Sequence, residues 1–265
     1  MGQPACGPRP QSPMPIAYAR RLTGSNRSVK ANRQLGWALA FIAGATNAGG
    51  FLAVQQYTSH MTGVVSSMAD FLVLGQMALA AGALGALLSF LLGAATSAIL
   101  INLARRRQLK SLFALPLLLE AALLLLFGII GAQLAGVQGL FVPATVMLLC
   151  FIMGLQNAVI SKVSRSEIRT THVTGIVTDI GIELGKLVYW NRLQGHPALR
   201  VVADRDRLLV LSLLVGAFFA GGVIGALGFQ HIGYAMTLPL AALLVLLAIV
   251  PAADDVIDYF AKADA

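Results

Sequence analysis

Long stretches without charge limit what this chain can fold into. No Asp, Glu, Lys or Arg lies between Arg33 and Asp70, between Asp70 and Arg105, or between Arg207 and Asp254. From Ser111 to Ser161 the only such residue is Glu120. A helix needs about 20 apolar residues to cross the hydrocarbon of a bilayer, so each of the two longest stretches has room for two crossings. Apolar types make up 57% of the chain and charged types 11%, against about 25% charged in a soluble domain. The composition therefore points to a polytopic membrane protein.

The ends differ from the middle. Residues 1–33 are rich in Pro, Gly, Ser and Arg and lack the apolar core of a signal peptide, so they read as a disordered basic cytoplasmic tail. Residues 253–265 read as a short cytoplasmic C-terminal tail. Cys6 and Cys150 are far apart and suggest neither a disulfide framework nor a metal site. The net charge of +8 sits in short segments beside apolar runs. That pattern fits the positive-inside rule better than nucleic-acid binding.

A polar pattern occurs twice. Gly44-Ala45-Thr46-Asn47-Ala48 and Thr58-Ser59-His60-Met61-Thr62-Gly63-Val64-Val65 are matched by Gly154-Leu155-Gln156-Asn157-Ala158 and Thr170-Thr171-His172-Val173-Thr174-Gly175-Ile176-Val177. The first block recurs after 110 residues and the second after 112. Asn, Thr, His, Thr and Gly in one order indicate a duplication, with repeats at 34–136 and 137–252. In this alignment Asp179 falls on Ser67 and Glu183 on Phe71, so the acids are not duplicated.

Each half reads as one long span, a short helix opening at Thr-Gly, then two long spans. The long spans are expected at 36–56, 79–103, 112–134, 142–161, 208–228 and 233–251, and the short helices at 62–76 and 174–189. With short re-entrant helices, the chain has six transmembrane helices and an inverted 3+3 repeat. All 19 Lys and Arg residues then fall on the cytoplasmic side with both termini, as expected for a bacterial inner-membrane protein. Seven or eight full spans are the alternative, and eight would put the clusters at 105–110 and 162–169 outside.

Helices that start inside a bilayer line protein or water, because their first N–H groups need partners. Substrate-binding candidates gather at those starts and in the preceding spans: Asn47, His60, Thr62, Gly63, Gln156, Asn157, Thr171, His172, Thr174 and Gly175. Thr62 and Thr174 stand where caps would stand, and a histidine can titrate or bind an anion. The bland alternative is capping and packing alone. Asp70, Asp179 and Glu183 are proton-coupling candidates, because acids are costly in lipid. Asp179, Glu183 and Lys186 share a helix face, so pairing of Glu183 with Lys186 is the simpler account. No Walker, GxSxG or metal-ligand pattern is present.

The blocks Asn47-Ala48, His60-Met61-Thr62-Gly63, Gly154-Leu155-Gln156-Asn157-Ala158 and Arg169-Thr170-Thr171-His172-Val173-Thr174-Gly175 resemble the signature of the YoaK family (domain of unknown function family 1275), uncharacterised bacterial membrane proteins. The resemblance covers residues 34–250 and departs at Asn47 and Val64, where the family often has Asp and Asn. It implies a membrane location and no substrate. The expected function is secondary transport of a small solute, with an anion suited to the helix starts. A passive channel, or a membrane assembly protein without transport, is the alternative. No enzymatic activity and no cofactor or metal is expected. The expected partners are the bilayer, the solute and a second copy of the chain, with no nucleic acid.

Overall fold

The computed structural model describes residues 29–109, 111–134, 138–163, 173–189 and 201–263. These form eight α-helices and no strand among the described residues: α1 (Val29–Val54), α2 (Met61–Val73), α3 (Met77–Arg106), α4 (Ala114–Leu134), α5 (Gln138–Val163), α6 (Val173–Val188), α7 (Arg205–Ile232) and α8 (Thr237–Ala263). A 3₁₀ turn, Gly233–Met236, joins the last two. Only helices and closed barrels satisfy every backbone group in lipid, and this chain takes the helical solution.

The boundaries follow the apolar runs, with two differences at the ends. Helix α1 begins at Val29, inside the stretch expected to be tail, and α8 continues to Ala263 through the expected C-terminal tail. No Pro or Gly interrupts either extension, and Lys, Ala and Arg are good helix formers. The short helices span 61–73 and 173–188, close to the expected 62–76 and 174–189.

Five runs are long and apolar enough to cross a membrane: Asn32–Val54, Met77–Arg106, Ala114–Gln133, Val142–Lys162 and Arg205–Ile249. The fifth has 45 residues, about 67 Å if it were one straight helix. It bends back at Gly233, whose φ of 59° is open to glycine. The outer surface carries exposed Leu91, Leu92 and Ile99 on α3, Phe219 on α7 and Leu246 on α8. Apolar faces this extensive suit lipid rather than water. The protein is multi-pass.

Association between helices in lipid depends on close packing rather than hydrophobic burial, and four glycines set it here. Gly44 of α1 lies against the Phe218 carbonyl of α7, and Gly221 of α7 lies against the Phe41 carbonyl of α1. Gly154 of α5 and Gly93 of α3 meet the Phe90 and Phe151 carbonyls in the same way. Each helix thus presents Phe-x-x-Gly, and each glycine sits on the phenylalanine backbone opposite. A Cβ at any of the four would overlap a carbonyl oxygen. Such contacts admit Cα–H···O bonds of about 0.5–1 kcal/mol each.

These contacts also fix direction. Ala45 faces Gly225 and Gly49 faces Phe229, so α1 and α7 run parallel. Gly85 meets Met147 and Gly93 meets Phe151, so α3 and α5 run parallel. Helix α1 opposes α5, since Leu39 contacts Gln156 while Gly50 approaches Leu149. Gly128 meets Thr237 and Gly131 meets Tyr234, so α4 and α8 are antiparallel. Each short helix folds back on the helix after it, α2 on α3 and α6 on α7.

Candidate functional site

Helix α1 stops at Val54, and Gln55 takes a left-handed φ of 55° to turn the chain. The loop then folds back onto α1. The Tyr57 ring stacks on Phe51 at 4.6 Å, Thr58 is buried close to Gly50, and the Ser59 hydroxyl donates to Asn47 Oδ1 at 3.0 Å. Asn47 is therefore an anchor for the loop that leads into α2.

His60, not Thr62, occupies the cap position of α2, with φ −94° and ψ 72° and no side-chain capping bond. Its carbonyl accepts from the Val64 N–H at 3.1 Å. A Cβ on Gly63 would touch the His60 ring at 3.4 Å, so the imidazole lies over the first turn. Thr62 is exposed on that turn.

Beside this turn is a cavity of about 490 Å³. Gln55, Gln56 and Tyr57 close one end, His60, Gly63, Ser67 and Phe71 of α2 form one wall, and Gly82, Ala83 and Ala86 of α3 form another. The start of α5, including Pro143 and Met147, completes it. Pro143 is inside α5 and so removes one helical hydrogen bond at the wall. The volume is that of a small-molecule site, apolar with a few convergent polar groups.

The second half is built differently at matching positions. Thr171 and His172 lie outside the described residues. Thr174 and Gly175 are exposed on the first turn of α6, and the Thr174 carbonyl accepts from the Thr178 hydroxyl at 2.9 Å. Lower on α6, Asp179 accepts from Arg207 at 3.0 Å, and Glu183 accepts from Lys186 at 2.9 Å. Arg207 also approaches Glu183 at 4.0 Å, and the Asp204 N–H donates to Glu183 at 2.9 Å. The Lys186 hydrogen bond, then that of Asp204, holds the Glu183 carboxyl below its ordinary range. Ser67 and Phe71 precede Asp179 and Glu183 by 112 residues, and Leu79 precedes Arg207 by 128, the spacing of the two α3 and α7 Phe-x-x-Gly motifs. Gly82, Ala83 and Ala86 likewise correspond to Val210, Leu211 and Leu214, all buried. Where α2 and α3 leave a cavity, α6 and α7 carry ion pairs and larger side chains.

Asp70 is exposed, whereas Asp179 and Glu183 are held in ion pairs. Gln156 is fully buried, and its Nε2 donates to Glu120 Oε1 at 2.8 Å and to the Leu39 carbonyl at 3.4 Å. Asn157 is also buried. The structure therefore separates the expected residues: His60 and Gly63 line the cavity, Asn47 braces its loop, and Gln156 belongs to a second polar cluster. Glu120 was passed over as a site residue. Its signal was being the lone acid in a long apolar run, but its partner is 36 residues away. Among the described residues, no three His, Cys, Asp or Glu side chains gather as metal ligands.

The helices and the cavity define a multi-pass helical membrane protein with a small-molecule-sized recess beside a short helix. Residues 35–250 match the family described as "Protein of unknown function (DUF1275)", and the chain belongs to it. Neither a curated protein nor a solved structure matches the chain.

Proposed function

We propose that the protein is a six-crossing transporter of a small solute, bound beside the start of α2. The two halves are inverted, and α2 and α6 are half-helices starting within the bilayer. Helices α1, α4 and α7 run outward from the cytoplasm, and α3, α5 and α8 run inward. The alternating directions and the reciprocal Phe-x-x-Gly contacts support this arrangement. The 13 residues of α2 put His60 roughly 20 Å below the turn at Gly75, well inside the hydrocarbon. Inverted halves with broken helices are a recurring transporter plan.

The observation that carries transport is the contrast between the matching places. On the outer side the wall residues are small and leave the cavity. On the inner side Asp179, Glu183, Lys186 and Arg207 draw α6 against α7. One open and one closed recess is what alternating access requires. The solute is a small anion with an apolar part: the walls are largely apolar, and His60 and the positive end of α2 supply the polar recognition.

Gly82 offers the test, because a Cβ there meets no atom within 4 Å. Phe at this position fills the recess without striking backbone. Reconstituted protein is assayed with a panel of short-chain carboxylates and inorganic anions. Saturable flux of at least one is expected, reduced at least tenfold in Gly82→Phe and unchanged in Gly216→Phe on the open face of α7. Wild-type flux through Gly82→Phe would overturn transport through this cavity.

A further inference from the structure

Glu120 lies where α1, α4 and α5 meet, with none of its surface exposed. Gln156 Nε2 satisfies Oε1, while Oε2 has no partner. Gln156 is equally buried, and its own Oε1 has no partner either. Two buried acceptors on adjoining side chains are thus unsatisfied, a costly arrangement in a dry site. One hydrogen placed on Glu120 Oε2 changes both. The acid can then donate to Gln156 Oε1 while the amide donates back to Glu120 Oε1, closing a cyclic acid–amide pair.

No counter-charge offers another solution. Helix α1 has no Asp, Glu, Lys, Arg or His after Arg33, α3 has none before Arg105, α5 none before Lys162, and α8 none before Asp254. Cys150 on α5 and Tyr234 in the 3₁₀ turn are the other titratable groups on these elements, and each is more than a helical turn from Gln156 or Glu120 along its chain. A hard metal cation requires six or more oxygens, and two orphan oxygens and the Leu39 carbonyl do not supply them.

We propose that Glu120 and Gln156 form a proton-binding site that ties α4 to α5. Binding forms the Oε2–H bond and completes the acid–amide pair. Release breaks that bond, passes the proton to water and leaves a carboxylate that the dry junction does not tolerate, so release and parting of α4 from α5 go together. The site does not depend on which solute the cavity takes, and its test needs no transport.

The full chain in lipid nanodiscs is followed by infrared spectroscopy over a pH series in heavy water, reading the C=O stretch of a protonated carboxyl. The band is expected at neutral pH, absent from Glu120→Gln, and lost on titration with alkali. Gln at this position keeps one acceptor and one donor toward Gln156, so the variant retains the junction; far-UV circular dichroism checks this. Should it misfold, a second measurement assigns the band. The chain has three glutamates, so ¹³C-glutamate in a Glu167→Gln, Glu183→Gln background labels Glu120 alone. Gln156→Met is expected to move the band and shift its midpoint by about one pH unit, the size of one hydrogen bond. Absence of the band at neutral pH, its persistence in Glu120→Gln, its survival through the alkaline limit of the fold, or its appearance only after sodium is removed would each overturn the site. So would a band unmoved by Gln156→Met.

Discussion

The Arg207 guanidinium donates to the Asp179 carboxylate at 3.0 Å, joining the first turn of α7 to the middle of α6. Both side chains are partly exposed, so the pair alone contributes no more than about 1 kcal/mol. Glu183 beneath them is buried and receives three donors, from Lys186, Arg207 and the Asp204 backbone. Arg207 therefore matters more through the group than through one contact.

Arg207→Leu is expected to loosen α6 from α7. A cysteine placed at buried Ile176, in a chain with Cys6 and Cys150 replaced by Ser and Ala, should react with a thiol reagent several-fold faster when Arg207 is lost. Arg207→Lys should restore part of the protection, because Lys keeps the charge but not the planar fork.

The latch should respond to acid. The native Glu183 carboxyl is held below its ordinary range, so its stabilising contribution is complete above the unfolded carboxylate pKa of about 4.3. It fades as pH falls through the lower folded value. The difference in Tm between wild type and Glu183→Gln should be constant from neutral pH down to that range and shrink below it.

Transplanting the pair should close the outer recess. Ser67→Asp with Leu79→Arg sets in α2 and α3 the charges that α6 and α7 carry at matching positions. A cysteine at Val64, which lines the cavity, should label several-fold more slowly in the double variant than in either single one. Equal rates in all three would show that the matching positions do not face each other.

The glycine seams should not tolerate side chains. Gly93→Val or Gly221→Val forces a backbone carbonyl away and should cost about 1–3 kcal/mol. Gly216, with nothing within 4 Å of an added Cβ, should accept Val with little change in thermal stability. Membrane sidedness has its own check: a cysteine at Gln76 should react with an impermeant reagent from outside, and one at Gln108 only from inside.

The helices were legible in the sequence because charge gaps and apolar length are local properties. The short helices were legible too, since Thr-His-x-Thr-Gly marks both starts in the chain. The Phe-x-x-Gly seams were not, because a four-residue apolar pattern is common and its meaning appears only when the opposite helix supplies a carbonyl. The cap was misplaced by two residues, since Thr62 has the better capping chemistry and yet His60 is where the backbone turns. The cavity depends on Gly82, Ala83 and Ala86 being smaller than Val210, Leu211 and Leu214, a difference that acquires meaning only once α3 and α7 are superposed in role. Glu120 stood out by its charge, but its pairing with Gln156 needed α4 and α5 side by side.

The seams also bear on how the molecule is made. Helix α1 finds its glycine partner in α7, and α5 finds its partner in α3, so each half closes on an element of the other. Neither half is a folding unit. While the chain is being synthesised, the Gly44 surface of α1 waits through some 180 residues for Gly221 to arrive. The last hairpin, α7 and α8 with their four-residue turn, is the piece whose entry locks the bundle, and two separately expressed halves would have to meet in the bilayer before either became native.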